Sequence, residues 1–382
     1  LSEAETLKDG PAILIAAAAG RALAAAARRA GYRPLVADLF DDEDTRALCV
    51  ANCLAGDPQT GFDGEALIGA LGGLAEGRAP IGLVYGAGFE DRVELLDEIA
   101  ERWTLFGNRP ETVRQAKNPA ALAQLCRLLG VPHPDISLTA PAETEGWLVK
   151  SVGAAGGGHV APAGVWRAQG EDIYFQRVAP GEAVSILGLG DGAGMIALGA
   201  SRQWAAPTGD EPFRFGGCAR PAALPLAVER RLTGAASSLS VELGLRGLNS
   251  FDFLLDGDAF VLVEINPRPG ATLDIFEDSR GLIFAAHIDA CLGRMPDFPL
   301  EFQGAAAAGI AYAHRRIAAM PALDWPEWAA DRQKPKSALG LNDPLCTIKA
   351  SAADPSRARE LVKERTASIL DGIDHIETEA TS

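Results

Sequence analysis

The 382-residue chain lacks any apolar run of 18 residues, so no membrane-spanning helix and no membrane partner are expected. Positive charge is scarce: 35 Lys and Arg stand against 51 Asp and Glu, a formal charge of −16. No broad basic stretch offsets that field, which argues against a nucleic-acid partner. An anionic small molecule is still admissible wherever Lys and Arg gather in a cleft. Cysteines are few and scattered, at Cys49, Cys53, Cys126, Cys218, Cys291 and Cys346. Only the first two are close, and no second pair or His cluster accompanies them. The spacing fits neither a disulfide framework nor a zinc site, and reads as reduced thiols in a cytoplasmic protein. The apolar stretch at 11–19, "PAILIAAAA", has no basic leader; Glu3, Glu5 and Asp9 precede it against Lys8 alone, the wrong charge for a signal peptide. Two phosphate motifs are also missing. "AAAAGRA" has no G-x-G-x-x-G, and the glycines at 153–158 are not followed by Gly-Lys-Ser/Thr. There is no internal repeat.

The residues present describe a compact enzyme-like protein. Hydrophobic residues make up 48%, with 42 Gly and 24 Pro, and the length suits two to four domains. Strands are predicted at 12–16, 34–37 and 81–85, with a helix at 21–30 ended by Gly31. This is an open α/β start with parallel strands. Helices follow at 111–130, broken before Pro119. Strands are predicted at 147–152, 172–179, 182–189, 195–204 and 213–220, and a long helix at 225–243. A hairpin at 251–265 precedes a helix at 281–292. "AAGIAYAHRRI" and "PLCTIKAS" read as strands, and 353–370 as a final helix.

Chemistry concentrates in "FDFLLDGDAFVLVEINPRPGAT", residues 251–272. If Asp256-Gly257-Asp258 is the hairpin turn, Asp252 lies near the partner positions of the return strand. Glu264 and Asn266 share a face of that strand, about 7 Å apart. Two carboxylates and an amide oxygen are hard ligands that suit Mg²⁺. Acids near a hairpin are common, so solvated turn residues are the competing reading. The apolar flanks weigh against it, because a Glu ending a core strand needs a partner. Upstream, Lys150 sits on a strand feeding a loop that contains Gly153, Gly156, Gly157 and Gly158. Glycines let backbone N–H groups approach a phosphate, although an ordinary loose loop has the same composition. His159 flanks this flap and is not expected to act as a base. In "IYFQRVAPGEAVSIL", Gln176, Arg177 and the backbone of Val178 could meet an adenine edge, and Glu182 ribose hydroxyls or a substrate amine. Each also reads as a solvated strand residue.

These pieces, in this order, resemble the ATP-grasp superfamily of carboxylate–amine ligases. The resemblance rests on Lys117 in "AKNPAALAQLCRLLGVPHP", Lys150 with "GAAGGGHV", "FQRVAPGEAVS", and "FDF" followed by "VEINPRPG", and covers roughly residues 1–300. It implies ATP and Mg²⁺, replaceable by Mn²⁺, as cofactors. Asp252, Glu264 and Asn266 take the magnesium positions, and Lys117 and Lys150 those of the nucleotide lysines. Gly156, Gly157, Gly158, Gln176, Val178 and Glu182 complete the nucleotide site, with Gln176 where many members carry Glu. Arg268, with Arg220 and Asn266, falls to the acyl-phosphate oxygens. The implied fold mixes α/β and α+β: a Rossmann-like domain at 1–110, a small ATP-grasp subdomain with the flap at 111–185, a metal and substrate subdomain at 186–300, and a C-terminal barrel-like domain with a final helix at 301–382. The tail "LGLNDPLCTIKASAADPSRARELVKER" carries that last expectation. The nearest subgroup is the tyramine–glutamate ligase-like enzymes of methanofuran and methylofuran synthesis. Small-molecule carboxylate and amine substrates follow, and an apolar first-domain surface points to a homodimer. A nucleotide-biosynthesis carboxylase or formyl-transfer enzyme, a phosphoryl-transfer enzyme and a non-catalytic nucleotide-binding protein are the alternatives.

Overall fold

The computed structural model describes residues 10–165, 172–297 and 299–380. The first nine residues, counted above with the opening domain, lie outside them. The chain opens with five strands: β1 (Ala12–Ala16), β2 (Arg33–Asp38), β3 (Ala51–Leu54), β4 (Leu83–Tyr85) and β5 (Leu105–Phe106). They form one parallel sheet in the order β3-β2-β1-β4-β5. Every residue of β1, "AILIA", is buried, as a strand covered on both faces requires. Helix α1 (Arg21–Arg29) packs Leu23, Ala24, Ala26 and Ala27 inward and ends on Arg28 and Arg29, where the helix dipole favours cations. Gly20 stands before it because a Cβ there would lie 2.4 Å from Val36 Cγ1. Strands β3 and β5 are short and lack alternation, which hides them in the sequence. Helices α2 (Glu43–Leu48), α3 (Gly64–Ala75) and α4 (Val93–Ala100) complete this layer.

Helices α5 (Pro110–Lys117) and α6 (Pro119–Leu129) meet at Asn118, whose side-chain oxygen accepts the Ala121 N–H at 3.0 Å. Proline at N1 and this cap start α6 sharply, and that break fixes Lys117 at the end of α5. A small antiparallel sheet follows, built from β6 (Ile136–Ser137), β7 (Trp147–Ser151), β8 (Val160–Pro162) and β9 (Ile173–Arg177) in the order β8-β7-β9-β6.

The largest sheet has eight strands: β10 (Glu182–Asp191), β11 (Met195–Ala205), β12 (Phe215–Arg220), β13 (Arg246–Asp256), β14 (Ala259–Asn266), β15 (Ala305–Tyr312), β16 (Ala329–Ala330) and β17 (Pro344–Ala352). Their order is β14-β13-β10-β11-β12-β15-β17-β16. One face carries Val184, Ile186, Phe251 and Phe253 against α7 (Leu226–Leu243), and Ala305, Ala307 and Ile348 against α9 (Pro355–Ala380). The other face meets the first layer, helix α8 (Leu282–Cys291) and the 3₁₀ turn Ala271–Asp274.

Three expectations change here. The C-terminal strands β15 and β17 continue the large sheet through β12, so the described residues form no separate closed barrel. The alternating small residues of β15 let it pair on both edges, which makes it an interior strand. The division at 185/186 falls inside β10, whose pairing with β13 begins at Glu182. The final helix also runs to Ala380, ten residues beyond 370.

Candidate active site

The β13–β14 hairpin closes through Gly257, with Asp256 opposite Ala259. Asp252 lies opposite Glu264 and Ser250 opposite Asn266, but Phe253 lies opposite Leu262. Val263 is therefore the extra residue of a bulge, and it turns Glu264 off the core face that Leu262 occupies. Bulges commonly re-aim a side chain in this way beside functional sites. Without it, strict alternation would bury Glu264 with Leu262 and separate it from Asp252.

The three expected metal ligands do converge. Asn266 donates from its amide nitrogen to Asp252 at 2.8 Å, and Gln203 donates to the other Asp252 oxygen at 3.3 Å. The Lys117 ammonium donates to Glu264 at 2.6 Å and to the Asn266 side-chain oxygen at 3.0 Å. A cation thus already sits on two of these oxygens, which shows that they face a position where positive charge is stable. Carboxylate and amide oxygens are the donors Mg²⁺ prefers, so this set fits that ion. Burial and then Glu264 push Asp252 up to about 6. Burial acts likewise on Glu264, but Lys117 and Lys150 outweigh it and hold that group below its usual range.

Lys150 enters from β7 and is nine-tenths buried, with no hydrogen bond from its ammonium among the described residues. Burial pulls its pKa down, against Glu264. It lines a narrow cavity of about 30 Å³ with Lys117, His133, Gly153, His159, Tyr174 and Glu264. Burial also lowers the His159 pKa. The glycine flap closes this cavity. Phe215 donates its N–H to Gly156 O at 2.9 Å. Gly157, at φ +77°, would place a Cβ 2.1 Å from Phe213 O, and Gly153 one 2.3 Å from Glu90 O. A Cβ on Gly158 would meet only the movable end of the Glu211 side chain, at 2.7 Å. Gly153 and Gly157 serve a close approach, and a nucleotide needs hundreds of cubic ångströms, so the flap must lift to admit one.

Arg268 follows the hairpin and donates to Glu90 at 2.6 Å and to Asn266 at 3.4 Å. Glu90 escaped the sequence reading. It sits just past β4, at a strand's C-terminal end, the usual ligand side of an α/β layer, and that position was the available signal. Burial would raise its pKa, but Arg268 and Lys117, with the Gly88 N–H, hold it at about 2. Asn108 was also missed. Its amide donates to Asn249 at 2.7 Å and to Pro267 O at 2.9 Å, bracing the Asn-Pro-Arg-Pro turn from beneath.

Four expected residues do not join this group. Glu182 lies an odd number of residues from Ser185, the partner of Asp252, so strand alternation points it to the opposite face, where it pairs with Arg202. Val178 is exposed, and its N–H already donates to Gly146 O at 2.9 Å. Arg220 turns to carbonyls, Ile275 O by its Nε and Gly304 O at 3.1 Å, because its strand lies three strands from Asp252. Gln176 is buried on β9, outside the lining of the narrow cavity.

Residues 120–272 match the ATP-grasp domain family. The whole chain is similar to solved structures of low identity. Biotin carboxylase of Campylobacter jejuni, solved as a β-γ-ATP complex, is 15% identical and covers 96% of both chains with a TM-score of 0.68. N5-carboxyaminoimidazole ribonucleotide synthetase of Thermotoga maritima is 14% identical, covering 95% of this chain and 98% of that one, with a TM-score of 0.63. Pyruvate carboxylase of Rhizobium etli is 18% identical, with 93% of this chain and 37% of that one covered and a TM-score of 0.69. No curated protein matches the chain by sequence.

Proposed function

Proceeding from residues 120–272 as the ATP-grasp domain of an enzyme, we propose that this protein is an ATP- and magnesium-dependent ligase that joins a carboxylate to an amine. The observation that carries the reading is Lys150, a residue nine-tenths buried whose ammonium has no hydrogen-bond acceptor among the described residues, set beneath a glycine flap and beside Glu264. An unpaired buried cation is costly, and a triphosphate would remove the cost. Lys150 and the N–H groups of the flap hold the phosphates from one side, and Lys117 leaves Glu264 to hold them from the other. Bound at Asp252, Glu264 and Asn266, Mg²⁺ or Mn²⁺ would neutralise phosphate charge. The substrate carboxylate attacks the terminal phosphorus and displaces ADP, giving an acyl phosphate. Arg268, fixed by Glu90, is placed to hold its oxygens. The amine nitrogen then attacks the acyl carbon, phosphate leaves, and the closed flap excludes water that would waste the intermediate.

Within this class, the resemblance to tyramine–glutamate ligases supports glutamate with tyramine as the first pair to test, in a methylofuran-type one-carbon cofactor route. The fold similarity to carboxylases supports a second reading, with bicarbonate as the activated carboxylate. Phosphate release, assayed with MgATP against a panel of acids and amines together with mass spectrometry of products, separates them. An amide product supports the ligase, and release dependent on bicarbonate supports the second reading. No stimulation by any acid would overturn both.

A further inference from the structure

A second cavity, of about 380 Å³, opens between β12, β15, β17, α9 and the 274–277 segment. Its walls carry Arg220, Lys349 and Arg365 against Asp274 and Glu277, with Trp328 at one side. Those two acids are already engaged elsewhere. Asp274 takes Arg21 at 2.5 Å and Glu277 takes Arg29 at 2.5 Å, and Lys349 shares both. Arg220 and Arg365 have no carboxylate partner among the described residues. Arg220 donates to carbonyls of the 302–304 segment and of Ile275. Arg365 donates to Lys349 O and stacks over Trp328 at 5.1 Å. Burial draws both guanidiniums below their usual range. The cavity therefore holds surplus positive charge in a protein of strongly negative net charge.

Arg220, in the wall of this cavity, shares a sheet face with the metal ligands. Asp252 faces Ser185 and Ser185 faces Ser201; Arg202 opposite Ala219 sets Ser201 level with Arg220, which faces Ala306. Three strand steps separate Asp252 from Arg220, about 14 Å of backbone. Two buried hydroxyls, Ser201 on this row and Thr272 in the covering segment, have no hydrogen-bond partner among the described residues. Ser201 therefore lies between the two places with its hydroxyl unused.

We propose that this cavity anchors the far end of an elongated second substrate through an anionic group, a carboxylate or a phosphate monoester, while its reacting end lies at Arg268. The assignment rests on the ligase reading and adds the class of its substrate. A remote anionic anchor positions the reacting end, and its loss is felt in KM and in kcat together.

Calorimetry with glutarate and with inorganic phosphate, in the presence of MgADP, tests it on the full chain. One of the two anions is expected to bind the parent, and which one identifies the group. Arg365→Gln and Ala306→Glu, the second bringing an acid beside Arg220, should each weaken that binding at least tenfold while MgADP affinity stays at the parental value. Binding of neither anion to a parent that binds MgADP would overturn the cavity assignment alone. Equal anion affinity in parent and both variants would do the same. A parent that takes an anion but never MgADP would overturn the second-substrate assignment together with the ligase reading.

Discussion

Two buried charge clusters lie on either side of the Asn-Pro-Arg-Pro turn, and they are built differently. In one, Arg21 at the start of α1 forks onto Asp274 at 2.5 and 2.7 Å and onto Asp331 at 3.0 and 2.8 Å. Asp44 beside it accepts the N–H groups of Asp331 and Arg332 at 2.9 and 2.8 Å. Both Arg21 forks are matched, so this cluster is a closed joint between the first layer, the 3₁₀ turn and the strand end at β16. In the other, Lys150 has no hydrogen-bond acceptor among the described residues, Lys117 holds two oxygens of a metal set, and Asp252 is pushed up to about 6 by burial and Glu264. Here Lys150 awaits a partner that the described residues do not supply. The matched forks of Arg21 mark a structural joint, and a lysine without an acceptor beside a metal set marks a binding site.

The largest effect should come from breaking the closed joint. Arg21→Met removes one cation from between Asp274 and the part-exposed Asp331; breaking a buried pair typically costs about 3–5 kcal/mol. Thermal or urea unfolding should show that loss, while nucleotide affinity of the folded protein changes little. Parent-like stability would mean that the joint is an ornament of the surface and that the comparison fails.

Next is Glu264→Gln. Turnover should fall about a hundredfold or more, as removal of a charged group from a transition-state site commonly does. The melting temperature should move far less than in Arg21→Met. A variant with parental magnesium-dependent turnover would reduce Asp252, Glu264 and Asn266 to an ordinary hairpin.

Lys150→Ala sharpens the contrast from the other side. It deletes an unsatisfied buried charge, so stability should hold or rise, while ATP affinity falls about tenfold, roughly 1.4 kcal/mol. Calorimetry and a melting curve on the same sample read the two signs. A destabilised variant with unchanged ATP affinity would place Lys150 with the structural charges.

The two clusters also differ in how far they could be read from sequence. Asp252, Glu264 and Asn266 lie within one hairpin, so turn position and strand alternation bring them together, and only the bulge at Val263 escapes notice. The strand order beyond β12 was less legible, because an interior strand of small residues such as β15 looks the same whether it closes a barrel or extends a sheet. Arg21 meets Asp331 at a separation of 310 residues and Glu90 meets Arg268 at 178. No local period encodes such pairs; they follow only from the docking of one layer on another. Glu182 shows the converse error, since its sequence position beside the flap strands suggested the site while the parity of β10 turns it away.

Glu90 belongs to neither cluster wholly, and its titration tests which one it resembles. It is fully buried, and Arg268 and Lys117 hold its pKa at about 2 against an ordinary 4.5. A carboxyl with a depressed folded-state value contributes stability above the unfolded pKa and loses it as pH falls toward the folded one. The contribution is therefore complete at neutral pH, begins to fade near 4.5, and is down by on the order of 1 kcal/mol at pH 3.5. Glu90→Gln should flatten that part of the urea-unfolding profile between pH 6 and 3.5. If Glu90 also positions Arg268 for catalysis, the same variant should lower kcat at pH 7 more than it raises KM for ATP, and Glu90→Asp should restore part of kcat. A flattened acid limb with parental kcat would make Glu90 a structural partner of Arg268, and the closed type of cluster would then extend to the edge of the active site.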